Sequence, residues 1–432
     1  MPSKTKAVAV FWFRRDLRLE DNRALSAALE SGFPVLPVFI FDENIPEDHS
    51  SCDARSDFMY DLLIGIHKTL MKHGSSLLVY RGGVKEIWKK LLREYAVKAV
   101  YVNRDYEPHA IERDEAVEVL LRENNIVMHS YKDRVIFEGD EVVKKNGMPY
   151  TVFTPYKNRW LEKFREPDHR AENVDSKNFF PSRFHFPKRE DLGIKRSGIT
   201  VRDYTLENLD RYARDRNVPA ADAGTYLGPH LSTGSVSIRR IIQKLTPRHD
   251  VFLSELIWRE FFMQILLHYP RVVRENFREK YNGIRWRNNE KEFKSWRRGE
   301  TGYPLVDAGM RQLNETGYLH NRVRMVAAGF LCKHLLIDWR WGEACFSEKL
   351  LDHELSSNNG NWQWAAGTGC DAAPYFRVFN PLSQEKKFDK DAEYITTWIP
   401  DYDKDHYIKP VVEHRYARER ALSVYKEGIK NR

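Results

Sequence analysis

At 432 residues the chain is too long for one ordinary hydrophobic core, so two domains are expected, and its 42% hydrophobic and 31% charged residues are those of a soluble globular protein. A net charge of +8, with 13% aromatic residues including 11 tryptophans, suits a polyanionic partner whose bases stack beside a phosphate groove, although charge alone fits a basic cytosolic enzyme equally. Cys52, Cys332, Cys345 and Cys370 lie far apart with no C-x-x-C pair, which argues against a disulfide framework, a zinc ribbon or an iron–sulfur cluster and for a reducing compartment, so no metal site is expected.

The first apolar run, Ala7–Phe13, is closed at once by Arg14-Arg15-Asp16. It is too short for a signal peptide or a membrane span and reads as a buried strand; the arginine pair has no hydrophobic run after it, as a twin-arginine signal would need. A cytoplasmic protein without membrane contact is expected. Further strands are predicted at 35–41, 76–80, 99–102 and 126–131, with helices near 21–30, 57–73, 85–95 and 110–123. Strand–helix alternation at this spacing predicts a doubly wound parallel sheet over residues 1–131. No G-x-G-x-x-G follows the first strand, so this sheet carries no dinucleotide fingerprint. Residues 132–203 are rich in Pro, Lys, Arg and Asp and read as a partly irregular connector. Residues 204–432 read as all-α, with helices at 254–269, 304–318, 319–336 and 342–351 and a short basic helix from about 412. The fold class is therefore α/β, an N-terminal doubly wound parallel-sheet domain followed by an all-α domain.

The densest chemistry lies in the run from Glu354 to Pro381, which holds Trp362, Trp364, the amides Asn358 and Asn359, and several turn glycines. Amides that hydrogen-bond a heterocycle and indoles that stack on flat rings suit a concave pocket wall. In Glu255-Leu256-Ile257-Trp258-Arg259 the carboxylate, indole and guanidinium stand at i, i+3 and i+4, on one helix face. Taken alone, an ordinary Glu–Arg ion pair beside a core tryptophan is the better account of that segment. Asn321 and Met325 are i and i+4, with Arg322 and Arg324 to either side. An amide and a thioether suit a neutral, flat ligand held by hydrogen bonding and van der Waals contact.

These blocks together resemble the photolyase/cryptochrome family over nearly the whole chain, most strongly from about 250 to 400, and are closest to its class I-type members acting on cyclobutane pyrimidine dimers. The resemblance implies that 204–432 is an FAD-binding catalytic domain and 1–131 an antenna domain. It implies light-driven repair of UV-damaged DNA, with FAD active in its reduced form, by a monomer. Glu255, Asn321, Met325 and Asn358 would be catalytic, with Asn358 facing flavin N5. In relatives that repair the (6–4) photoproduct the positions of Asn321 and Met325 are typically histidines, so their identity here points to the cyclobutane dimer. Tyr212, Gly224, Thr225, Tyr226, Leu227, Gly228, Arg324, Asp352, His353, Glu354 and Asn358 would hold the flavin, with Arg324 pairing to Asp352. Relatives usually carry a Thr-Ser pair and a later Ser in the 224–228 turn, where this chain keeps only Thr225. Glu354 also departs from the family pattern, standing where Asp is commoner.

Glu255, Trp258, Arg259, Asn321, Arg322, Trp364 and Gln384 would meet the lesion and its DNA, with Arg259 and Arg322 on flanking phosphates and Trp258 and Trp364 holding the flipped bases. Trp286, Trp339 and Trp362 match the family's electron relay between flavin and surface. The segment Asn103–Ala110 matches a common strand end, but His109-Ala110 replaces the Asn-Glu pair that binds folate in some relatives. A deazaflavin, a second flavin or no antenna remain open there. Two other readings share parts of this pattern: a cryptochrome signalling through a protein partner, and a basic nucleic-acid-binding module without catalysis.

Overall fold

The computed structural model describes residues 7–43, 54–164 and 178–430. Cys52 lies outside the described residues; the other three cysteines are buried and unbridged. The chain forms two compact units, and it passes between them repeatedly: one holds Met1–Val142, Arg159–Arg202 and Leu227–Thr246, the other Val143–Asn158, Asp203–Tyr226 and Pro247–Arg432.

In the first unit the apolar runs Ala7–Phe13 (β1), Val35–Asp42 (β2), Leu78–Gly82 (β3), Ala96–Asn103 (β4) and Val127–Tyr131 (β5) form a parallel sheet of order β3-β2-β1-β4-β5. Helices Arg23–Leu29 (α1), Ala54–Lys72 (α2), Val84–Glu94 (α3) and Pro108–Glu123 (α4) alternate with the strands. The two-residue period of a strand divides each central run between two cores. Ala9, Phe11 and Phe13 of β1 pack with α1 and α2, while Val8, Val10 and Trp12 pack with α3 and α4. This is the doubly wound sheet expected from the alternation.

Where a dinucleotide-binding sheet would turn on glycines, the segment after β1 makes a buried ionic lock. The Arg14 side chain bonds the Asn103 carbonyl and Asp114, and Asp16 accepts from Arg14 N and Asn103 Nδ2. Arg239, in helix Ile238–Gln243, reaches both Asp21 (3.1 Å) and Asp133 (2.6 Å) with almost no exposure. Buried charges survive only when paired in this way.

The remaining helices are Phe153–Lys163 (α5), Leu209–Asp215 (α6), Leu227–Thr233 (α7), Ile238–Gln243 (α8), Asp250–His268 (α9), Glu290–Arg298 (α10), Pro304–Thr316 (α11), Asn321–Gly329 (α12), Trp339–Lys349 (α13), Leu355–Ala366 (α14), Pro381–Phe388 (α15), Glu393–Trp398 (α16) and His414–Lys430 (α17). No strand occurs beyond residue 204 among the described residues. The second unit's main core includes Trp296, Leu305, Val323, Leu331, Trp339, Phe346 and Trp362. Residues 319–336 are not the single helix expected. α12 begins only at Asn321 and passes at Phe330–His334 into a π-helical turn, where Leu335 N–H bonds the Phe330 carbonyl; Leu336 then takes a left-handed φ of 50°. The wider turn buries Cys332, Lys333 and His334 together, and Lys333 Nζ donates to the Arg377 carbonyl at 2.9 Å. No helix among the described residues is long and apolar enough to cross a membrane.

Candidate active site

α12, α14 and the turn before α14 enclose a cavity of about 600 Å³, counting the space open at its mouth. Its wall carries Asn321, Arg324 and Met325 from α12, Asp352, His353 and Glu354 from the turn, and Asn358, Trp362 and Trp364 from α14, with Phe346 and Leu350 as apolar floor. Local sequence explains the placement. Gly317 ends α11 in the left-handed region (φ 70°), and His320 starts α12 by accepting from Arg322 N–H through its ring at 3.2 Å. Residues 321, 324 and 325 then share one face, as do 358, 361, 362 and 365 on α14. The indole of Trp362 lies against Gly342 of α13, where a Cβ would stand 2.1 Å from the ring.

The polar edge of the cavity is organised around Arg324. Its Nη2 meets Asp352 Oδ2 at 2.7 Å and its Nε donates to the Leu319 carbonyl at 2.8 Å, so the expected Arg324–Asp352 pair forms. Asp352 Oδ1 is buried with no hydrogen-bond partner, in a pocket where such an oxygen calls for a ligand donor. Asn358 Nδ2 donates to the Glu343 carbonyl at 3.1 Å, which leaves the amide oxygen as its group for a ligand. Asn359 is not a second pocket amide. It is turned into the protein and donates to the Val272 carbonyl and Glu343 Oε1, both at 3.0 Å, because i and i+1 on a helix point to different faces. Gln363, which sequence reasoning passed over, completes this brace: its Nε2 reaches the Val272 and Glu275 carbonyls and its Oε1 accepts from Phe277 N–H at 2.8 Å. Only its place one turn beyond Asn359 hinted at that role.

The Glu255 block, on α9, does not line this cavity. Glu255 bonds Arg216 at 2.7 Å, and Arg216 also covers the ring of Tyr212. Burial, with the Glu255 carboxylate nearby, pushes the Tyr212 hydroxyl up to about 12. Trp258 is half-buried and stacks face to face on Phe153, with centroids 3.7 Å apart and planes 8° apart, so at most one of its faces is open to a base. Arg259 pairs with Glu354 at 2.8 Å, with side chains only 13% and 5% exposed. The guanidinium that the resemblance puts on a flanking phosphate is thus engaged by a carboxylate of the cavity wall. Arg322, half-buried, donates to Asn217 Oδ1 at 2.6 Å and lies over the Phe388 ring. Gln384, on α15, is half-buried.

Of the 224–228 turn, Gly224, Thr225 and Tyr226 belong to the second unit, and Leu227 and Gly228 open α7 in the first. The Thr225 carbonyl accepts from Thr205 N–H, and Tyr226 has a φ of 53°, rare for a bulky residue. Among the three relay tryptophans, Trp362 is on the cavity wall, Trp339 is buried and donates to Asn276 Oδ1, and Trp286 is half-buried with its ring against Tyr425. Trp362 meets Phe346 and a fourth indole, Trp296, edge-on, and motif matching did not single out the latter.

The family model described as DNA photolyase matches residues 9–174, and that described as the FAD binding domain of DNA photolyase matches residues 252–405. A deoxyribodipyrimidine photo-lyase of Agrobacterium fabrum is 36% identical, over 98% of each chain. The chain belongs to the DNA photolyase family. Among solved structures it is similar to a bacterial class III photolyase from Agrobacterium tumefaciens, with a TM-score of 0.88 and 34% identity over 99% of this chain and 98% of that one. It is also similar to an archaeal photolyase from Sulfolobus tokodaii described with two FAD molecules, with a TM-score of 0.84 and 35% identity over 97% and 99% of the two chains. As a photolyase-family cavity, the space beside α12 and α14 fits a flavin on its own chemistry. A buried carboxylate oxygen lacking a donor, a paired guanidinium and an amide acceptor lie along an edge, between walls of indole, phenyl and leucine.

Proposed function

We propose that this protein repairs cyclobutane pyrimidine dimers in UV-damaged DNA under blue light, with FAD held in the cavity between α12 and α14. The observation that carries the reading is the polar edge of that cavity, Arg324–Asp352 with its open Oδ1 and the fixed amide of Asn358. Reduced FAD, when bound, supplies on excitation the single electron that opens the cyclobutane ring and receives it back afterwards. The protein's own residues bind and orient. Asp352 would hold the flavin ring through its open Oδ1, Arg324 keeps that carboxylate in place, and Asn358 is assigned to flavin N5, with His353 and Glu354 beside it. Tyr212 and the 224–228 turn are assigned to the remainder of the cofactor, and Trp286, Trp339 and Trp362 to the electron relay.

On the substrate side, Glu255 is assigned to the polar edge of the pyrimidine pair, oriented by Arg216, and Trp364 and the open face of Trp258 to its rings. Asn321 and Met325 favour the cyclobutane dimer: neither is the strong proton donor that a lesion needing acid catalysis would require. A flipped-out lesion costs less to unstack than an intact step, which contributes selectivity. Arg322 and Gln384 are assigned to the flanking strand. The reading extends to a monomeric cytoplasmic enzyme divided functionally into 1–131, 132–203 and 204–432, with a deazaflavin, a second flavin or no antenna in the first part.

The test is blue illumination of the flavin-reduced protein with an oligonucleotide carrying one thymine dimer, counting restored thymines. Light-dependent restoration is expected, and Asp352→Asn should purify with less flavin. No restoration by flavin-loaded protein would move the reading to a photosensor, and restoration of a (6–4) lesion instead would overturn the roles of Asn321 and Met325.

A further inference from the structure

The π-helical turn Phe330–His334 carries a lysine into the interior of the second unit, where Lys333 is only 3% exposed. No carboxylate is paired with it among the described residues, and its hydrogen bond goes to the Arg377 carbonyl at 2.9 Å. A buried ammonium without a counterion weakens a fold, and groups held at that cost concentrate at functional sites, as single π-turns also do.

The partner carbonyl belongs to the segment 371–380, which joins α14, with Trp364 on the cavity wall, to α15 and has no helix or strand of its own. Its first half is tied down where Phe153 N–H donates to Asp371 Oδ2 at 3.1 Å and where Tyr375 stacks on Tyr425, with centroids 5.8 Å and planes 7° apart. The tip points outward. Phe376 is 60% exposed, and the exposed Arg377 lies over the Phe379 ring and close enough to Arg322 to add to the repulsion there. Lys333 reaches this tip from below. We propose that Lys333 is a positioning residue for damaged DNA: from inside the second unit it fixes the Phe376–Arg377 tip, and with it the surface offered to the strand beside the cavity. The proposal rests on the DNA reading above. Lys333 does not line the cavity and acts through the loop backbone.

The tie depends on charge, since a hydrogen bond from an ammonium is about twice as strong as one from a neutral amine. Burial holds the Lys333 ammonium down to about 8, with Cys332 opposing the shift and Arg377 reinforcing it. Around the turn, burial holds His334 down to about 3 and His414 low, and pushes the Cys332 thiol and the Tyr425 hydroxyl up. The charged side chains facing these groups are Arg377, Arg420 and Asp338. As pH rises through 8, Lys333 therefore becomes neutral and its grip on the tip weakens. Fold stability moves the other way. Between about 8 and the ordinary value of 10.5 the unfolded chain binds the proton and the folded chain does not, so the penalty of burying this lysine shrinks as pH rises. A lysine that served the fold alone would not make DNA affinity fall over the same range.

Two measurements on the purified holoprotein, from pH 7 to 9 at constant ionic strength, test this. One is fluorescence anisotropy with a duplex carrying one thymine dimer. The other is the rate of trypsin cleavage after Arg377, read from fragment masses and divided by the rate on a small peptide. Wild type should lose about three- to fivefold in affinity over the range, and cleavage should quicken by a similar factor. Lys333→Arg, which stays charged, should hold its pH 7 values throughout. Lys333→Met should bind weakly and be cut readily already at pH 7, without further change, although urea unfolding shows it no less stable than wild type. Should Lys333→Met fail to fold, the flat profile of Lys333→Arg against the wild-type slope decides. Wild-type affinity that is constant from pH 7 to 9, or a Lys333→Arg profile that follows wild type, would overturn the proposal. Cleavage that behaves as expected in a protein that binds no dimer-containing duplex at any pH would instead remove the DNA reading beneath it.

Discussion

At the start of α12 the His320 ring accepts from Arg322 N–H, and Arg324, Arg322 and Arg216 all lie close enough to repel a proton on it, with Asp222 opposing them weakly. Burial and these three guanidiniums hold the imidazole down to about 4, against 6.5 in the unfolded chain. Between those values the unfolded state binds the proton and the folded state does not. The stability contributed above pH 6.5 is therefore lost as pH falls toward 4, by about 3 kcal/mol at most. Urea unfolding at neutral pH and near pH 4.5 should show a smaller loss for His320→Asn, which keeps an acceptor at the cap. A slope equal to wild type would assign the acid sensitivity elsewhere, for instance to His334, which burial against His414 also holds down. Residue identity at the site was legible as far as chemistry goes: an acid, an arginine and an amide were expected, and Arg324, Asp352 and Asn358 line the cavity. Partnership was not. That Arg259 is engaged by Glu354, and Glu255 by Arg216, depends on residues 95 and 39 positions away.

Between elements, α13 and α14 meet where the Trp362 ring occupies the space a side chain at Gly342 would need. In an isolated helix Gly→Ala stabilises by about 1 kcal/mol. Here overpacking costs about 1–3 kcal/mol, so the effect of Gly342→Ala should reverse or cancel, and displacement of Trp362 should lower flavin content. Urea unfolding and the flavin-to-protein absorbance ratio measure both; a variant more stable than wild type with full flavin would contradict the close approach. The central strands β1, β2 and β4 were readable because both of their faces are largely buried, which leaves near-continuous apolar runs. The break inside 319–336 was not, since its apolar pattern continues through the π-turn. What ends the α-helix there is the burial of Lys333 and His334 against Arg377 and His414, both remote in sequence.

For the molecule as a whole, a net charge of +8 predicts salt-sensitive DNA binding. Only open cations contribute to that slope. Arg322→Ala should weaken binding to a dimer-containing duplex and reduce the log–log salt slope by about one unit. Arg259→Ala, which removes a short ion pair to the buried Glu354, should change the slope less than Arg322→Ala and should lower the stability of the fold. Affinity measured from low to moderate salt, with unfolding in parallel, separates the two; an unaltered slope in Arg322→Ala would move the DNA face elsewhere.

The sequence alone determined the succession of strands and helices over the first 131 residues, the parallel sheet, the helical character of the second half and the residue types of the pocket, since periodicity and side-chain chemistry are local. The tertiary structure decided what depends on meetings between distant segments. It turned Arg14–Asn22 into an ionic lock with Asn103, Asp133 and Arg239, it passed the chain between two compact units, and it set Trp296 against Trp362. None of these has a local signal, because an ion pair or a ring contact exists only once both partners have been brought together.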